Sequence, residues 1–174
     1  MWRRGKGSQS GQSLLETAIA LPLLLILAFN AINVGYFWFM VLALSAAPRH
    51  GVQYASQGGA ALATSSAPST SSVKDIVYEN LTNAISGATT SNASVQVCSV
   101  AKGVDSTTLK ASCDTWGPSY GFPSPDADPE APVYVLNRVD VVYTVKPIIQ
   151  GSAFSVILPS NLQFHRQVSM RSLY

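Results

Sequence analysis

Charged residues are scarce in this chain. Asp, Glu, Lys and Arg make up 11% of its 174 residues, whereas 47% are hydrophobic, and soluble globular domains usually contain about 25% charged residues. Only 11 residues are Lys or Arg, and the densest basic cluster is Arg3, Arg4 and Lys6. Because affinity for a nucleic acid grows with the number of phosphates neutralised, this supply of cations argues against a nucleic-acid partner. The length suits one small domain with an appendage.

The sequence also has few residues suited to catalysis. It contains no His-Glu-x-x-His motif, no phosphate-binding loop and no Rossmann glycine pattern. The two histidines, His50 and His165, leave little scope for acid–base chemistry, and neither has a zinc-finger spacing to the two cysteines. We therefore expect no enzymatic activity, no cofactor, no metal ion and no small-molecule substrate.

The longest feature is an uncharged, apolar run from Thr17 to Leu44. As an α-helix rising about 1.5 Å per residue it would extend about 42 Å, more than the ~30 Å hydrocarbon core of a bilayer requires. A buried core helix is one alternative, but such helices rarely stay uncharged on every face for this length. A cleaved signal peptide is another, but its apolar region is usually about 7 to 15 residues long. A retained transmembrane anchor is the favoured interpretation.

The distribution of charge predicts the orientation of this anchor. Three basic residues precede the apolar run in the segment 1–11, and only Arg49 follows it closely. Because basic residues flanking a membrane helix stay on the cytoplasmic side, we expect a single-pass protein with its N-terminus in the cytoplasm. Residues after about 48 would then be extracytoplasmic.

The junction between the basic leader and the apolar run contains Gly11, Gln12 and Glu16. A carboxylate carried to the middle of a bilayer costs about 2.5 to 3.5 kcal/mol, so Glu16 is a candidate functional residue. The alternative is a solvated side chain that interacts with the positive end of the helix. A basic leader, Gly11, four residues, Glu16 and a long apolar helix resemble the class III signal of type IV pilin-like proteins. That resemblance implies cleavage after Gly11 by a prepilin peptidase, which makes Gln12 the new N-terminus.

The helix itself resembles a narrower family, the TadE-like pseudopilins, over residues of about 11–55. Pro22 falls where that family has a proline, the polar break from Asn30 to Tyr36 is similar to its polar group, and Ala46 to Ala55 is similar to its Ala-Arg-x-Gly-x-x-Tyr-Ala ending. The resemblance implies a minor pseudopilin of a tight-adherence (type IVc) pilus, located in the bacterial inner membrane, with a pilin-like domain. Its partners would be the prepilin peptidase, other pilins or pseudopilins, and the inner-membrane assembly platform.

Four positions on the helix carry further expectations, namely Gln12, Glu16, Pro22 and Pro48. Cleavage after Gly11 would create an amine at Gln12 that is costly among apolar helices unless it is paired, and Glu16 of a neighbouring subunit could pair with it and set the register of assembly. Because proline removes a helical hydrogen bond, Pro22 predicts a kink and Pro48 predicts a break. Thr17 and Pro48 depart from the family pattern, which commonly has an aromatic residue beside the glutamate and a continuous helix.

Composition divides the chain into four segments. These are a basic leader at 1–11, a transmembrane and assembly helix at 12–48, a helix end with a Ser/Ala/Gly-rich linker at 49–72, and a domain at 73–174. Within that domain, apolar spacing predicts a short helix from Val73 to Ser86 that stops at Gly87. Alternating or β-branched residues predict strands at Ser94–Val100, Val133–Val145, Ala153–Leu158 and Leu162–Met170. The fold class is therefore α+β, with an antiparallel sheet.

The domain has two further candidate features. Cys98 and Cys113 lie on the side predicted to be outside, where a disulfide is the leading interpretation and a free thiol pair or metal ligation are alternatives. The segment from Cys113 to Pro132 predicts a loop whose aromatic residues form a contact surface, namely Trp116, Tyr120 and Phe122. Its acids, Asp126, Asp128 and Glu130, are expected to form a solvated turn rather than a cation site. The rival function is a signal-anchored extracytoplasmic binding or adhesion domain that is neither processed nor assembled.

Overall fold

The structure is a computed structural model that describes residues 9–57, 66–131, 133–149, 151 and 161–173. In this part of the chain two helices precede the strands. The elements are α1 (Gln9–Ala55), α2 (Thr70–Ala84), β1 (Ala93–Cys98), β2 (Val104–Asp105), β3 (Lys110–Ala111), β4 (Cys113–Trp116), β5 (Tyr134–Val145) and β6 (Leu162–Leu173). A 3-10 turn at Val100–Lys102 follows β1. The fold class is α+β, as predicted.

The described residues fall into two compact units. The anchor unit contains residues 9–37, 146–149 and 151, and the domain unit contains 38–57, 66–131, 133–145 and 161–173. The predicted leader and the predicted strand Ala153–Leu158 lie largely or wholly outside the described residues.

The main sheet is antiparallel, with the strand order β4-β1-β5-β6. β5 and β6 pair along their whole lengths, from Tyr134 opposite Leu173 to Val145 opposite Leu162. β2 and β3 form a separate two-stranded hairpin. Because side chains alternate along a strand, one face of β5 presents Val139 and the other presents Arg138 and Asp140.

The core of the domain unit forms where the C-terminal half of α1 and one face of α2 meet the sheet. Its buried members include Leu44, Ala47, Val52, Val73, Val77, Leu81, Val95, Val97, Val139 and Val141. Gly51 allows the close approach of these elements, because a Cβ atom added there would overlap Cγ2 of Val77 and lie 3.4 Å from Cγ1 of Val139. This packing gives Gly51 a structural function that the sequence pattern alone did not reveal.

The predicted break at Pro48 is wrong, because α1 continues through Pro48 to Ala55. A proline inside a helix costs about 3 kcal/mol. Leu44, Ala47 and Val52 on either side of it are at most 1% exposed, and burial of such a helical face outweighs an unfavourable local propensity. The α-helix also includes Pro22, where the kink stays a prediction.

Helix α2 begins three residues before the predicted start. Ser69 caps it, since the Ser72 N–H donates to Ser69 Oγ at 3.2 Å, which satisfies one of the free donors of the first turn. The buried face has the predicted helical spacing and includes Tyr78, whose hydroxyl donates to the carbonyl of Ala93 at 3.0 Å. Burial raises the pKa of the Tyr78 hydroxyl above its usual value.

The segment from Cys113 to Pro132 is not wholly a loop. Its first four residues form β4, which pairs with β1 from Cys98 opposite Cys113 to Val95 opposite Trp116. The sequence Cys-Asp-Thr-Trp has no apolar alternation, so only the pairing with β1 identifies it as a strand. Trp116 consequently lies in the sheet rather than in a flexible contact loop.

Candidate functional site

The N-terminal part of α1 is exposed on every side. All residues from 11 to 25 are exposed, and leucines such as Leu14 retain 73% of their accessible surface. By length and composition the helix from Gly11 to Ala55 could cross a membrane, and only 11% of its most apolar window is buried within the chain. Such an extensive apolar surface requires an apolar environment or a partner.

Glu16 is the only charged residue of α1 before Arg49. It is exposed, and among the described residues it has no ion-pair or hydrogen-bond partner. Next to it, the hydroxyl of Thr17 donates to the carbonyl of Ser13 at 2.9 Å, so this polar group is satisfied within the helix. A shallow depression on one helix face joins Glu16 to Ala20 and Leu24. Within the described residues, the carboxylate is therefore not engaged by any group of its own chain.

Gly11 and Gln12 lie near the beginning of α1, and both are exposed. A Cβ atom added to Gly11 would meet nothing within 4 Å, and the same holds for Gly35 farther along the helix. Packing among the described residues therefore does not require glycine at either position. A requirement for glycine at position 11 would have to come from another molecule.

The polar break of the helix has a defined structural role in the anchor unit. Asn33 is 1% exposed, its Nδ2 donates to the carbonyl of Ile149 at 3.1 Å, and its Oδ1 accepts from the N–H of Ile149 at 3.1 Å. The amide of Asn30 donates to the carbonyl of Ile26 at 2.8 Å. The two asparagines thus bind backbone groups, one within the helix and one in the segment after β5.

Cys98 and Cys113 form a disulfide with an S–S distance of 2.08 Å. They are direct partners in the register of β1 and β4. The bond encloses the 3-10 turn and the β2–β3 hairpin, a region with a small core formed by residues such as Val100 and Ala111.

Replacing both cysteines with serine should lower the free energy of unfolding by about 3 kcal/mol, because the disulfide restricts the unfolded chain by closing a loop of about 15 residues. Urea unfolding of the purified full chain, without reductant, measures the difference. A Ser106→Ala variant in the same loop is the control, and an equal midpoint for the double cysteine variant and the wild type would contradict the expectation.

The three aromatic residues of the predicted contact surface do not lie together. Trp116 is in β4, and the Lys74 ammonium of α2 lies 5.8 Å from its ring centroid. Tyr120 and Phe122 pack edge to face at 4.9 Å, and their ring centroids lie 5.9 and 6.0 Å from that of His165. Side chains alternate along the strands, so Trp116 and His165 lie on opposite faces of the sheet. Tyr120 and Phe122, which pack near His165, are therefore on the face opposite Trp116.

Beneath Tyr120 and Phe122 lies a polar cluster, formed by the buried pair of Arg138 and Asp140 together with the partly exposed His165. Arg138 Nε and Nη2 donate to the two Asp140 carboxylate oxygens at 2.7 Å each, and His165 Nε2 lies 2.7 Å from Asp140 Oδ1. The side chains of Asp140 and Arg138 are 0% and 3% exposed. Arg138 Nη1 also donates to the carbonyl of Ser124 at 3.2 Å, which joins the segment after β4 to the sheet. This cluster was not predicted from the sequence, although Arg138 and Asp140 are two residues apart and so lie on one face of β5.

The acidic turn is not uniformly solvated, contrary to expectation. Asp128 is 2% exposed, and Arg171 Nη2 donates to its Oδ1 at 2.8 Å. A second Arg171 nitrogen lies 3.2 Å from Glu130, whereas Asp126 is exposed. Arginine pairs with Oδ1 of the Asp128 carboxylate, whereas the buried Oδ2 has no hydrogen-bond partner among the described residues, so the burial is compensated only in part. In the described part of the chain, no group of three His, Cys, Asp or Glu residues is placed to hold a metal ion.

Asp114 joins the start of α2 to the 3-10 turn. Its carboxylate accepts a hydrogen bond from the Thr70 hydroxyl at 2.7 Å and lies 2.8 Å from the Lys102 ammonium. The Lys102 hydrogen bond, followed by that of Thr70, lowers the pKa of Asp114 below its usual value of 3.8. The folded protein therefore binds this proton less readily than the unfolded chain does.

An Asp114→Asn variant should lose part of the acid sensitivity of folding. A carboxyl whose pKa is lower in the folded state stabilises the fold above its unfolded pKa, and that stabilisation disappears as the pH falls through the folded pKa. Between about pH 5 and about pH 3, the free energy of unfolding should therefore fall more in the wild type than in the variant. The difference should be less than about 1 kcal/mol, because the site is partly exposed to solvent. Urea midpoints at both pH values measure it, with exposed Asp126→Asn as the control. Equal losses in all three proteins would contradict the assignment.

The sequence from Gly117 to Gly121 matches the Gly-x-Ser-x-Gly pattern of hydrolase nucleophile elbows, with Ser119 at its centre. An elbow requires a turn from a strand into a helix, but here the pattern follows β4 and no helix comes after it before β5 in the described residues. Ser119 is exposed, and no hydrogen bond joins it to His165 in this part of the structure. Among the described residues, the geometry places no catalytic base beside this serine.

Comparison with protein-family models, curated proteins and solved structures finds no match to this chain.

Proposed function

We propose that this protein is a membrane-anchored structural subunit, and within that class a TadE-like minor pseudopilin that acts in the assembly of a type IVc pilus or in secretion. In this proposal α1 crosses the bacterial inner membrane with its N-terminus in the cytoplasm. The α+β domain then lies on the extracytoplasmic side and is the pilin-like part of the molecule.

The exposed N-terminal part of α1 is the observation that carries the proposal. A span of apolar residues with one carboxylate, Glu16, that has no partner in the described part of the chain is suited to lie beside similar helices in a membrane. The disulfide between Cys98 and Cys113 supports a location outside the cytoplasm, because reducing conditions inside the cell disfavour such bonds.

The proposed assembly contact is an ion pair between two copies or between this chain and another pilin. Cleavage after Gly11 releases the three basic residues of the leader and leaves a positive amine on Gln12. Glu16 lies four residues, or about one helical turn, from that amine. Within one bundle, the Glu16 carboxylate of one subunit pairs with the amine of its neighbour, and the low dielectric strengthens the attraction.

Processing provides the direct test. Mass spectrometry of the protein purified from the membranes of a host with a prepilin peptidase should give Gln12 as the N-terminal residue. In a Gly11→Ala variant we expect the leader to be retained, while the fold is unchanged because the added methyl group meets no atom within 4 Å.

Gly35→Ala is the matched control, since it adds the same group to an equally open position of the same helix. It should be processed as the wild type is. An intact N-terminus in the wild type, in the presence of active peptidase, would count against the pseudopilin proposal and favour a plain signal-anchored binding or adhesion domain.

A further inference from the structure

The segment that follows β5 belongs to the anchor unit rather than to the domain unit. Its described residues are 146–149 and 151. Ile148 is 59% exposed, and the neighbouring Ile149 is held by both hydrogen bonds from the side chain of Asn33. After Lys146 the sequence has no charged residue before Arg166. After Lys146, an uncharged and apolar segment with Ile148 exposed is therefore attached directly to the candidate membrane helix.

The position of Asn33 along α1 gives the depth of this attachment, if α1 spans the membrane as proposed. A hydrocarbon core of ~30 Å takes about 20 helical residues. Counted from Thr17, just after Glu16, those residues end near Tyr36. Tyr36 and Trp38 are the residue types that collect at a membrane surface. Asn33 lies about one helical turn before that boundary, within the outer leaflet.

The hydrogen bonds at Asn33 satisfy two sets of polar groups that would be unfavourable in the membrane without partners, namely the backbone of Ile149 and the side-chain amide itself. A non-helical backbone at membrane depth is tolerated only where protein groups or water satisfy its N–H and C=O, and a buried amide side chain has the same requirement. The Asn33 amide satisfies the N–H and the C=O of Ile149, and they satisfy the amide in return. A leucine or alanine at position 33 could do neither.

We infer that the segment from Pro147 to Ile149 enters the outer leaflet of the membrane beside α1, that Asn33 holds it there, and that Ile148 contacts lipid. Lys146, which is exposed at the start of the segment, lies within reach of the headgroups and water. The protein thus has a second, non-helical contact with the membrane. This inference rests on the membrane-spanning part of the proposed function.

Fluorescence quenching in vesicles tests the location of Ile148. The full chain is reconstituted without reductant into vesicles of phosphatidylethanolamine and phosphatidylglycerol, with a single nitrobenzoxadiazole-labelled cysteine at Ile148→Cys, Leu24→Cys or Ser106→Cys. The native cysteines are joined in the disulfide and do not react. Leu24 reports the proposed span, and the exposed Ser106 reports water.

Lipids with a nitroxide on the acyl chain near the headgroup should quench the label at position 148 several-fold more than the label at position 106, and iodide should show the reverse order. A water-exposed label at 148 beside a lipid-quenched label at 24 would overturn the inference and leave the proposed span intact. A label at 148 that neither quencher reaches is covered by protein and overturns it too. A water-exposed label at 24 would refute the span itself.

An Asn33→Leu substitution tests the holding role. It removes both hydrogen bonds to Ile149, so iodide quenching at position 148 should increase several-fold, while the label at position 24 should stay lipid-quenched if the helix still inserts. Ile32→Leu, an exposed neighbour on the same helix, should change neither value. No change in the Asn33→Leu protein would show that Asn33 does not hold the segment.

Discussion

An Asp140→Ala variant is expected to lose about 3 to 5 kcal/mol of the free energy of unfolding of the domain unit. Asp140 is fully buried, and its carboxylate accepts two hydrogen bonds from Arg138 and lies 2.7 Å from His165 Nε2. Its removal leaves the Arg138 guanidinium buried without a counter-charge, which is the main source of the loss. Urea unfolding of the detergent-solubilised full chain, followed by circular dichroism, measures it.

Two controls separate the unpaired charge from lost packing. Asp126→Ala removes an exposed carboxylate and should change stability by less than about 0.5 kcal/mol. The double variant Arg138→Met/Asp140→Leu removes both members of the pair and should recover most of the stability, since apolar replacement of a buried pair is often neutral or favourable. A double variant as unstable as Asp140→Ala would show that the cost is not that of an unpaired Arg138.

A Glu16→Ala variant is expected to be processed after Gly11 but to fail in co-assembly. Truncating one partner of a desolvated ion pair costs about 2 to 5 kcal/mol, which weakens association at least about thirtyfold. The measurement is the recovery of a second, differently tagged copy, or of a partner pilin, from detergent-solubilised membranes. The N-terminal mass of the same sample reports processing.

Glu16→Gln and Glu79→Ala are the matched controls for this prediction. The glutamine variant keeps the size and polarity of the side chain but not its charge, so it should also fail. Glu79→Ala removes an exposed carboxylate of α2 and should assemble normally. Wild-type assembly by the Glu16→Ala protein would refute the proposed pairing of this carboxylate with the amine of Gln12.

The helices were the most predictable part of the fold, because their signals are local. The lack of charge from Thr17 to Leu44 identifies α1, and the spacing of Val73, Val77 and Leu81 identifies α2. We did not predict the burial of α1 from Met40 onward. The last turns carry a helical pattern, since Ala47 and Val52 are buried whereas Arg49 and Gln53 on the other side are exposed. The uniformly apolar run before them obscures this pattern.

The elements that the sequence analysis missed depend on distant partners. β4 is a strand because it pairs with β1, and the break expected at Pro48 is prevented by packing against other elements. The spacing of Arg138 and Asp140 places both on one strand face, a pattern that by itself is typical of a solvated polar surface. The segment after β4 covers this face of β5, and no local sequence pattern predicts that contact.

The pairing of β5 with β6 has a consequence for the synthesis of the protein. Translation proceeds from the N-terminus, so β5 leaves the ribosome well before Leu162 to Leu173, which complete its ladder. Until then the nascent chain presents an open edge on β5, with Asp140 not yet joined to His165. We expect this interval to be the time when chaperones bind the chain most readily and proteases degrade it most easily.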